Sequence, residues 1–182
     1  MRSKIAVLAG VLAVAMATAA PAAQAVTFHE YGVPLPSTVP LEMVGGGTNI
    51  GGTLGAFNCD PWKAQAKIGA NKANPATLTG FSASLNCVGA YGWPLTGTME
   101  ATGPVEVFSN GTSKLPLKMI TTTPGNSPCT STGTGTFTGN LKTPSNYAAI
   151  EAFLPGNCGP LTFATVAKLQ RPSGTSITLS YP

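Results

Sequence analysis

Charged side chains are scarce in this sequence. Its 182 residues include ten Lys or Arg, six Asp or Glu and a single histidine, His29. The lysines are spread along the chain and form no block, whereas nucleic-acid-binding proteins carry a clustered basic stripe with interleaved aromatic side chains. We therefore expect no nucleic-acid partner.

The same scarcity leaves few groups for catalysis or metal binding. Asp60 is the only aspartate, and the sequence contains neither a G-x-S-x-G motif nor an H-E-x-x-H motif. Glu100 and Glu151 are the best candidates for a carboxylate pair, but each lies at a solvent-facing position of a predicted strand. Calcium sites need clustered oxygen ligands and zinc sites need closely spaced cysteines, and neither pattern is present. We predict that the protein is not an enzyme and uses no metal and no cofactor.

Long apolar runs are absent except near the N-terminus. Arg2 and Lys4 precede a mostly apolar run over residues 5–20, and Ala23-Gln24-Ala25 matches the pattern that signal peptidase recognises. A membrane-spanning helix needs about 20 predominantly apolar residues, and this run is shorter. We expect a signal peptide over residues 1–25, no transmembrane segment after cleavage, and a secreted, extracellular protein. Removal of Arg2 and Lys4 lowers the formal net charge from +4 to +2.

Four cysteines form two pairs with nearly equal spacing, Cys59/Cys87 and Cys129/Cys158. Each first cysteine is followed ten residues later by a glycine, each second cysteine is preceded by an asparagine, and Pro-Leu-Thr follows both pairs. Four cysteines in an exported protein allow three disulfide connectivities, and the repeat favours Cys59–Cys87 and Cys129–Cys158. We predict two repeated disulfide-linked units, over about residues 53–120 and 121–182.

Apolar and polar residues alternate over several short segments, such as Phe81–Cys87 and Leu161–Leu169, which is typical of strands with one buried face. Trp62–Ile68 also suits a helical turn, but it aligns with the Thr/Gly-rich run at 132–138, so we predict both segments as strands. Pro116 removes a backbone donor and predicts an edge strand. The expected fold class is all-β, an antiparallel β-sandwich with a β-barrel as the alternative.

Residues 26–52 have a different composition. Pro34, Pro36 and Pro40 are followed by Gly45-Gly46-Gly47 and Gly51-Gly52. Prolines favour extended backbone and glycines add flexibility. We therefore expect a loosely held N-terminal arm over residues 26–52, followed by a single β domain over residues 53–182.

Three aromatic residues are candidates for a binding surface. Tyr91 and Trp93 lie in an insertion between the first Asn-Cys and its Pro-Leu-Thr, where the second unit has only Gly159. Such loops on a rigid scaffold commonly carry function. Tyr91 is the freer candidate, because Trp93 shares the parity of Leu95 and is therefore expected in the core. For Trp62, a surface position and a core position both remain open.

Several of these motifs together resemble small exported bacterial proteins related to the activator of alkane oxidation. The motifs are Phe81–Cys87, Gly92–Thr96, Cys129 with its Thr/Gly run, Asn146-Tyr147, Ala148–Leu154 and Asn157-Cys158-Gly159. The resemblance covers roughly residues 54–181, and the alanine-rich leader resembles those of actinobacterial secreted proteins. It implies a secreted β-sandwich linked to growth on hydrophobic substrates or to surface and biofilm behaviour, without assigned catalytic residues.

Taken together, these features predict a non-catalytic protein that acts at or near the cell surface, by binding or by association with matrix or biofilm. Its expected partners are cell-surface or matrix components. The second hypothesis is an extracellular carrier of a small apolar molecule, and the third is an inhibitor of secreted hydrolases. An apolar cavity of several hundred Å³ would favour the carrier. A filled core with exposed aromatic side chains would favour surface association.

Overall fold

The computed structural model describes residues 25–53 and 55–182. The expected signal peptide therefore lies outside the described residues, except for Ala25. The described residues confirm the all-β, antiparallel fold class, with one short 3₁₀ turn at Ala90–Gly92. The strands are β1 (Thr27–Glu30), β2 (Val33–Pro34), β3 (Pro40–Gly52), β4 (Gly55–Cys59), β5 (Trp62–Ile68), β6 (Ala76–Gly89), β7 (Pro94–Ala101), β8 (Val105–Val107), β9 (Ser113–Thr122), β10 (Cys129–Thr138), β11 (Tyr147–Leu154), β12 (Leu161–Gln170) and β13 (Thr178–Ser180).

Strands β3 to β12 form one ten-stranded sheet. Its path runs from β10 through β11, β12 and β3 to β4, β6, β7 and β9, and β5 pairs with both β3 and β6. Because β9 also pairs with β10, the path of strand pairings closes on itself. The side chains of its buried face form one apolar core cluster.

A second, three-stranded sheet of β13, β1 and β2 covers one end of this closed sheet. Phe28, Ile177 and Leu179 from this region are fully buried and belong to the same core cluster. Asn71 fixes the small sheet in place, because its side chain accepts a hydrogen bond from the Phe28 N–H and donates to the carbonyl oxygens of Phe28 and Leu35. We call this end the capped end.

The other end of the closed sheet carries the connections β3–β4, β6–β7, β9–β10 and β11–β12. Strand register brings these connections together: Gly52 pairs with both Gly55 and Leu161, and Val88 pairs with Pro94. We call this end the open end. It holds the insertion loop that the sequence singles out.

The expected loose arm over residues 26–52 is wrong for most of that range. Pro40–Gly52 is a 13-residue strand that pairs with β12 on one side and with β4 and β5 on the other. Leu41, Met43 and Ile50 are buried in the common core. The structure therefore shows no break between an arm and a domain at residue 52 within the described residues.

Gly45 in β3 serves packing, and composition alone does not distinguish such a glycine from one in a flexible segment. A side chain at Gly45 would overlap the Trp62 indole ring. That ring is 3% exposed, and its Nε1–H donates to Thr48 Oγ1 at 2.6 Å. Thr48 in turn donates to Thr165 Oγ1 at 2.8 Å, so the buried polar atoms satisfy one another.

A buried carboxylate anchors β3 on its outer face. Glu42 is 5% exposed, and it accepts hydrogen bonds from Gln65 and Gln170 and pairs with Lys63 at 3.3 Å. Burial raises the pKa of this carboxyl, but the three donors outweigh burial and hold it below the ordinary 4.5. The charged form of Glu42 therefore stabilises the contacts between β3, β5 and β12.

Both predicted disulfides are confirmed. Cys59–Cys87 joins β4 to β6 at directly paired positions, and Cys129–Cys158 joins the start of β10 to the connection before β12. The two predicted units contain the three-strand antiparallel meanders β5–β6–β7 and β10–β11–β12, and a Pro-Leu-Thr motif lies at the start of the third strand of each. The duplication itself stays a prediction. Trp62–Ile68 is a strand, as predicted.

The predicted edge position of the Pro116 strand is wrong. β9 is paired on both sides, with β7 and with β10. On the side that faces β7, the last paired residue of β9 is Leu117, which pairs with Ala101. Pro116 therefore lies just outside that ladder and is tolerated. Beyond the ladder, the Pro116 carbonyl oxygen accepts a hydrogen bond from the Thr102 N–H. Because no residue of β7 pairs with Pro116, the N–H that proline lacks is not needed for a ladder hydrogen bond on this side.

Candidate functional site: the open end

The open end is built from segments of sequence that contain no ionisable acid or base. Residues 43–59, 73–99, 119–141 and 152–167 lack Asp, Glu, Lys, Arg and His. Each of these segments crosses the open end, because each contains one of its four connections. The surface there offers hydroxyl, amide, backbone, proline, aliphatic and aromatic groups. Such a surface can contact a ligand through shape, ring stacking and neutral hydrogen bonds.

The β6–β7 connection projects two aromatic side chains from this end. Tyr91 is 100% exposed and Trp93 is 67% exposed. The Gly89 N–H donates to the Trp93 carbonyl oxygen at 2.8 Å and closes the loop around the 3₁₀ turn. The exposure expected of Tyr91, the freer candidate, is therefore seen, and its role in binding stays a prediction.

The expected core position of Trp93 is wrong. Its parity with Leu95 has meaning only inside a paired strand, and β7 begins at Pro94, which pairs with Val88. Leu95 is 2% exposed, whereas Trp93 lies one step beyond the last ladder pair, where the closed sheet has no interior to receive it. The exposed indole is therefore a surface group.

The backbone at Tyr91 is in the left-handed region, with φ 63° and ψ 20°. This conformation costs a non-glycine residue roughly 1–2 kcal/mol. Strain of this kind is often found where a side chain has a functional role, because the surrounding structure must compensate for it. Gly92 follows with φ 76°, so the two residues together form the tip of the loop.

Two shallow depressions flank the Trp93 ring. The first has a volume of about 300 Å³ and is lined by Gly55, Ala56, Phe57, Gly89, Ala90, Tyr91 and Trp93. The second has a volume of about 240 Å³ and is lined by Trp93, Pro94, Thr123, Pro124 and Asn126. Because both include Trp93, the two depressions adjoin at this residue.

The second depression contains residues that the sequence analysis did not single out. Asn126 donates from Nδ2 to Thr123 Oγ1 at 2.9 Å, which fixes the orientation of its amide. Its Oδ1 accepts no hydrogen bond from the described residues, and the residue is exposed. Pro124-Gly125-Asn126 reads in the sequence as an ordinary turn, and only the pairing of β7 with β9 brings it next to Trp93.

The third aromatic candidate, Trp62, is not part of this surface. It is buried in the core, it donates its only polar hydrogen to Thr48, and its ring lies 6.3 Å from that of Phe163. Its role is to fill the interior.

The mouth of the closed sheet at the open end is nearly filled. A pocket there is lined by apolar side chains that include Ile50, Phe57, Leu95 and Leu161, and it has a volume of about 30 Å³. This volume accommodates one or two water molecules. Leu95 and Leu161 are the leucines of the two Pro-Leu-Thr motifs, so the repeat supplies matching residues to the rim.

Both disulfides stabilise this end. Cys59–Cys87 lies two residues inside the Phe57–Gly89 pair, and Cys129 and Cys158 line the mouth itself. Cross-links of this loop size contribute on the order of 3 kcal/mol each in the chain-entropy model. The loop Gly89–Trp93, which we call the aromatic loop, therefore lies at the end of the molecule that holds both disulfides.

The candidate catalytic residues do not come together. Glu100 is exposed and pairs with Lys118 at 3.2 Å, and Glu151 is exposed on β11. His29 lies on β1 at the capped end, with Nε2 2.8 Å from Ser180 Oγ. Its other ring nitrogen faces the Gly32 carbonyl oxygen and not a carboxylate, so the orienting acid of a triad is missing there.

No group of three or more His, Cys, Asp or Glu side chains lies close enough together to hold a metal ion in residues 25–53 and 55–182. Over the same residues, no helix has the length and hydropathy needed to cross a bilayer.

Comparison of the chain with protein-family models, with curated proteins and with solved structures gives no match. The resemblance to proteins related to the activator of alkane oxidation therefore stays a prediction. The candidate site rests on the geometry of the open end alone.

Proposed function

We propose that this protein is a secreted, non-catalytic binding protein that associates with the cell surface or with extracellular matrix through its open end. One observation carries the proposal: a charge-free end with a fully exposed, backbone-strained Tyr91 and a largely exposed Trp93. Tyrosine and tryptophan are the residues most enriched in the energetic centres of binding surfaces. Exposing both in one five-residue loop has a cost in solubility and strain that binding would offset.

Two observations support an extracellular location within this proposal. Both pairs of cysteines are oxidised, and disulfides persist in oxidising compartments. The leader pattern over residues 1–25 is of the type that directs export.

The carrier hypothesis receives less support than surface association. A carrier needs an enclosed apolar cavity, and ligand pockets usually measure about 300–1,000 Å³. The mouth pocket measures about 30 Å³, and the large side chains Phe81, Phe137 and Phe163 fill the interior. Depressions of about 240–400 Å³ lie on the outside of the molecule, and two of them share Trp93 in their lining.

A sedimentation assay tests the proposal. Purified protein is mixed with extracellular matrix and cell-envelope material from the producing cells, and the bound fraction is measured over a range of protein concentrations. Trp93→Ala and Tyr91→Ala should each weaken association at least tenfold, which is the minimum expected of central aromatic contacts.

Tyr31→Ala is the matched control. Tyr31 is 88% exposed and also sits in a left-handed Tyr-Gly turn, but it lies at the capped end. Its substitution should leave association unchanged. Equal losses in all three variants, or no loss in any, would show that the open end is not the binding surface.

A further inference from the structure

We infer that the open end binds a neutral polysaccharide, whose sugar rings stack on Trp93 and Tyr91. This inference rests on the proposed function and names the class of ligand for the same surface. The chemistry of the surface, its shape and its polar groups each point to this class.

The open end lacks the basic side chains that anionic ligands need. Polyanions such as nucleic acids, acidic polysaccharides and anionic lipids are bound mainly through Lys and Arg. The four segments that build the open end contain neither residue, and the charged residue nearest in sequence to one of its connections is the acidic Glu151. A ligand without charge is the one that such a surface can desolvate at little cost.

The exposed rings are amphipathic in character. An indole or phenol face offers a flat apolar surface that matches the C–H-bearing face of a pyranose ring, and its polar edge remains hydrated. Trp93 presents such a face in the centre of the surface, and Tyr91 lies at the edge of one depression. Two rings in one loop can contact successive sugar units.

The shape of the open end suits a chain of sugar rings. The depressions of about 300 and 240 Å³ lie on either side of Trp93 and are open to solvent along the surface. They are at or below the lower limit of drug-sized pockets, so each suits a unit the size of a single ring. A chain of rings could pass from one depression to the other across the indole.

The open end also supplies a neutral hydrogen-bonding group. Asn126 Oδ1 is an acceptor held in place by the bond from Nδ2 to Thr123 Oγ1. A hydroxyl-rich ligand can donate a hydrogen bond to this oxygen, whereas an apolar ligand would cover it without a partner.

The same features argue against insertion into a bilayer. Protein segments that lie in a membrane interface usually combine an apolar face with flanking Lys or Arg residues, which contact the headgroups. The open end lacks these basic residues, and the Trp93 ring lies between concave surfaces.

Native affinity electrophoresis tests the inference directly. The full-length mature protein is run in gels that contain, in turn, an α-glucan, a β-glucan, a mannan and a galactan, all uncharged. At least one polysaccharide should retard the wild type. Trp93→Ala and Tyr91→Ala should weaken the apparent affinity at least tenfold, and Trp93→Phe, which keeps a flat ring, should lose less than Trp93→Ala.

Tyr31→Ala controls for exposed tyrosine in general and should bind as the wild type does. Unchanged thermal unfolding of each variant excludes misfolding as the cause of a loss. Absence of retardation by all four polysaccharides, or undiminished retardation of Trp93→Ala, would overturn the inference.

Uncharged phosphatidylcholine vesicles provide the competing arm. Vesicle binding that depends on Trp93, without any retardation by polysaccharide, would overturn the polysaccharide inference but leave the proposed surface association standing. If matrix association itself does not depend on Trp93 and Tyr91, the proposed function fails, whatever the electrophoresis shows.

Discussion

At the scale of single residues, the exposure of Trp93 follows from its place just beyond the last pair of the β6–β7 ladder. The insertion was visible, because the two cysteine-framed units differ there and nowhere else so clearly. The exposure of Trp93 was not visible, because parity with Leu95 says which face of a strand a residue would take but not where the strand begins. The position of the last ladder pair, Val88–Pro94, is a property of the folded sheet.

The strain at Tyr91 leads to a prediction about stability. Tyr91→Gly should have a free energy of unfolding about 1 kcal/mol higher than that of Tyr91→Ala, because only glycine adopts the left-handed conformation without steric cost. Chemical denaturation of the two variants measures this difference. Both should lose binding equally. An alanine variant as stable as the glycine variant would show that the loop backbone is not constrained at this position.

At the scale of elements, β3 is a strand whose composition suggests a loose arm. Its Pro and Gly content resembles a flexible leader, and only the partner strands show that the missing side chain of Gly45 makes room for Trp62. By contrast, the strand at Trp62–Ile68 was predictable, since the second unit carries Thr and Gly at the matching positions. Repeats can resolve a local ambiguity, whereas long-range packing cannot be read from one segment.

The packing role of Gly45 can be tested against its neighbour. Gly45→Ala should lower the free energy of unfolding by about 2 kcal/mol or more, because the new methyl group overlaps the Trp62 ring, which Thr48 and Phe163 hold in place. Gly46→Ala is the matched control, since nothing lies within 4 Å of a side chain there. Its effect should stay within roughly 0.5 kcal/mol. Similar effects of both substitutions in urea denaturation would contradict this role.

The lowered pKa of Glu42 predicts that acid weakens the contacts of the same strand, β3. Its pKa is lower in the folded protein than the ordinary 4.5, so its contribution to stability is complete above that value and is lost as the pH falls through the folded-state pKa. When the pH is lowered from neutral to below the folded-state pKa of Glu42, the free energy of unfolding should therefore fall more in the wild type than in Glu42→Gln. Thermal unfolding as a function of pH measures the difference. Parallel pH profiles for the two proteins would contradict the assigned role of the carboxylate.

At the scale of the whole molecule, the two ends of the closed sheet differ in construction. The capped end is covered by the small sheet, which Asn71 and the Arg171–Glu30 ion pair tie to its surroundings. The open end has no charge, carries both disulfides and presents the aromatic loop. The cysteine spacing predicts the two disulfides. Their location at the same end of the molecule follows from the strand order, which no local sequence pattern reveals.

The central claim is that this molecule binds through its open end, and hydrogen exchange in the presence of matrix material from the producing cells tests it most directly. Binding should slow the exchange of backbone amides in residues 88–96 and 121–128, around the two depressions. Amides of β1 and β13 at the capped end should exchange as in the free protein. Protection confined to the capped end, or to the outer face of β5, would contradict the account.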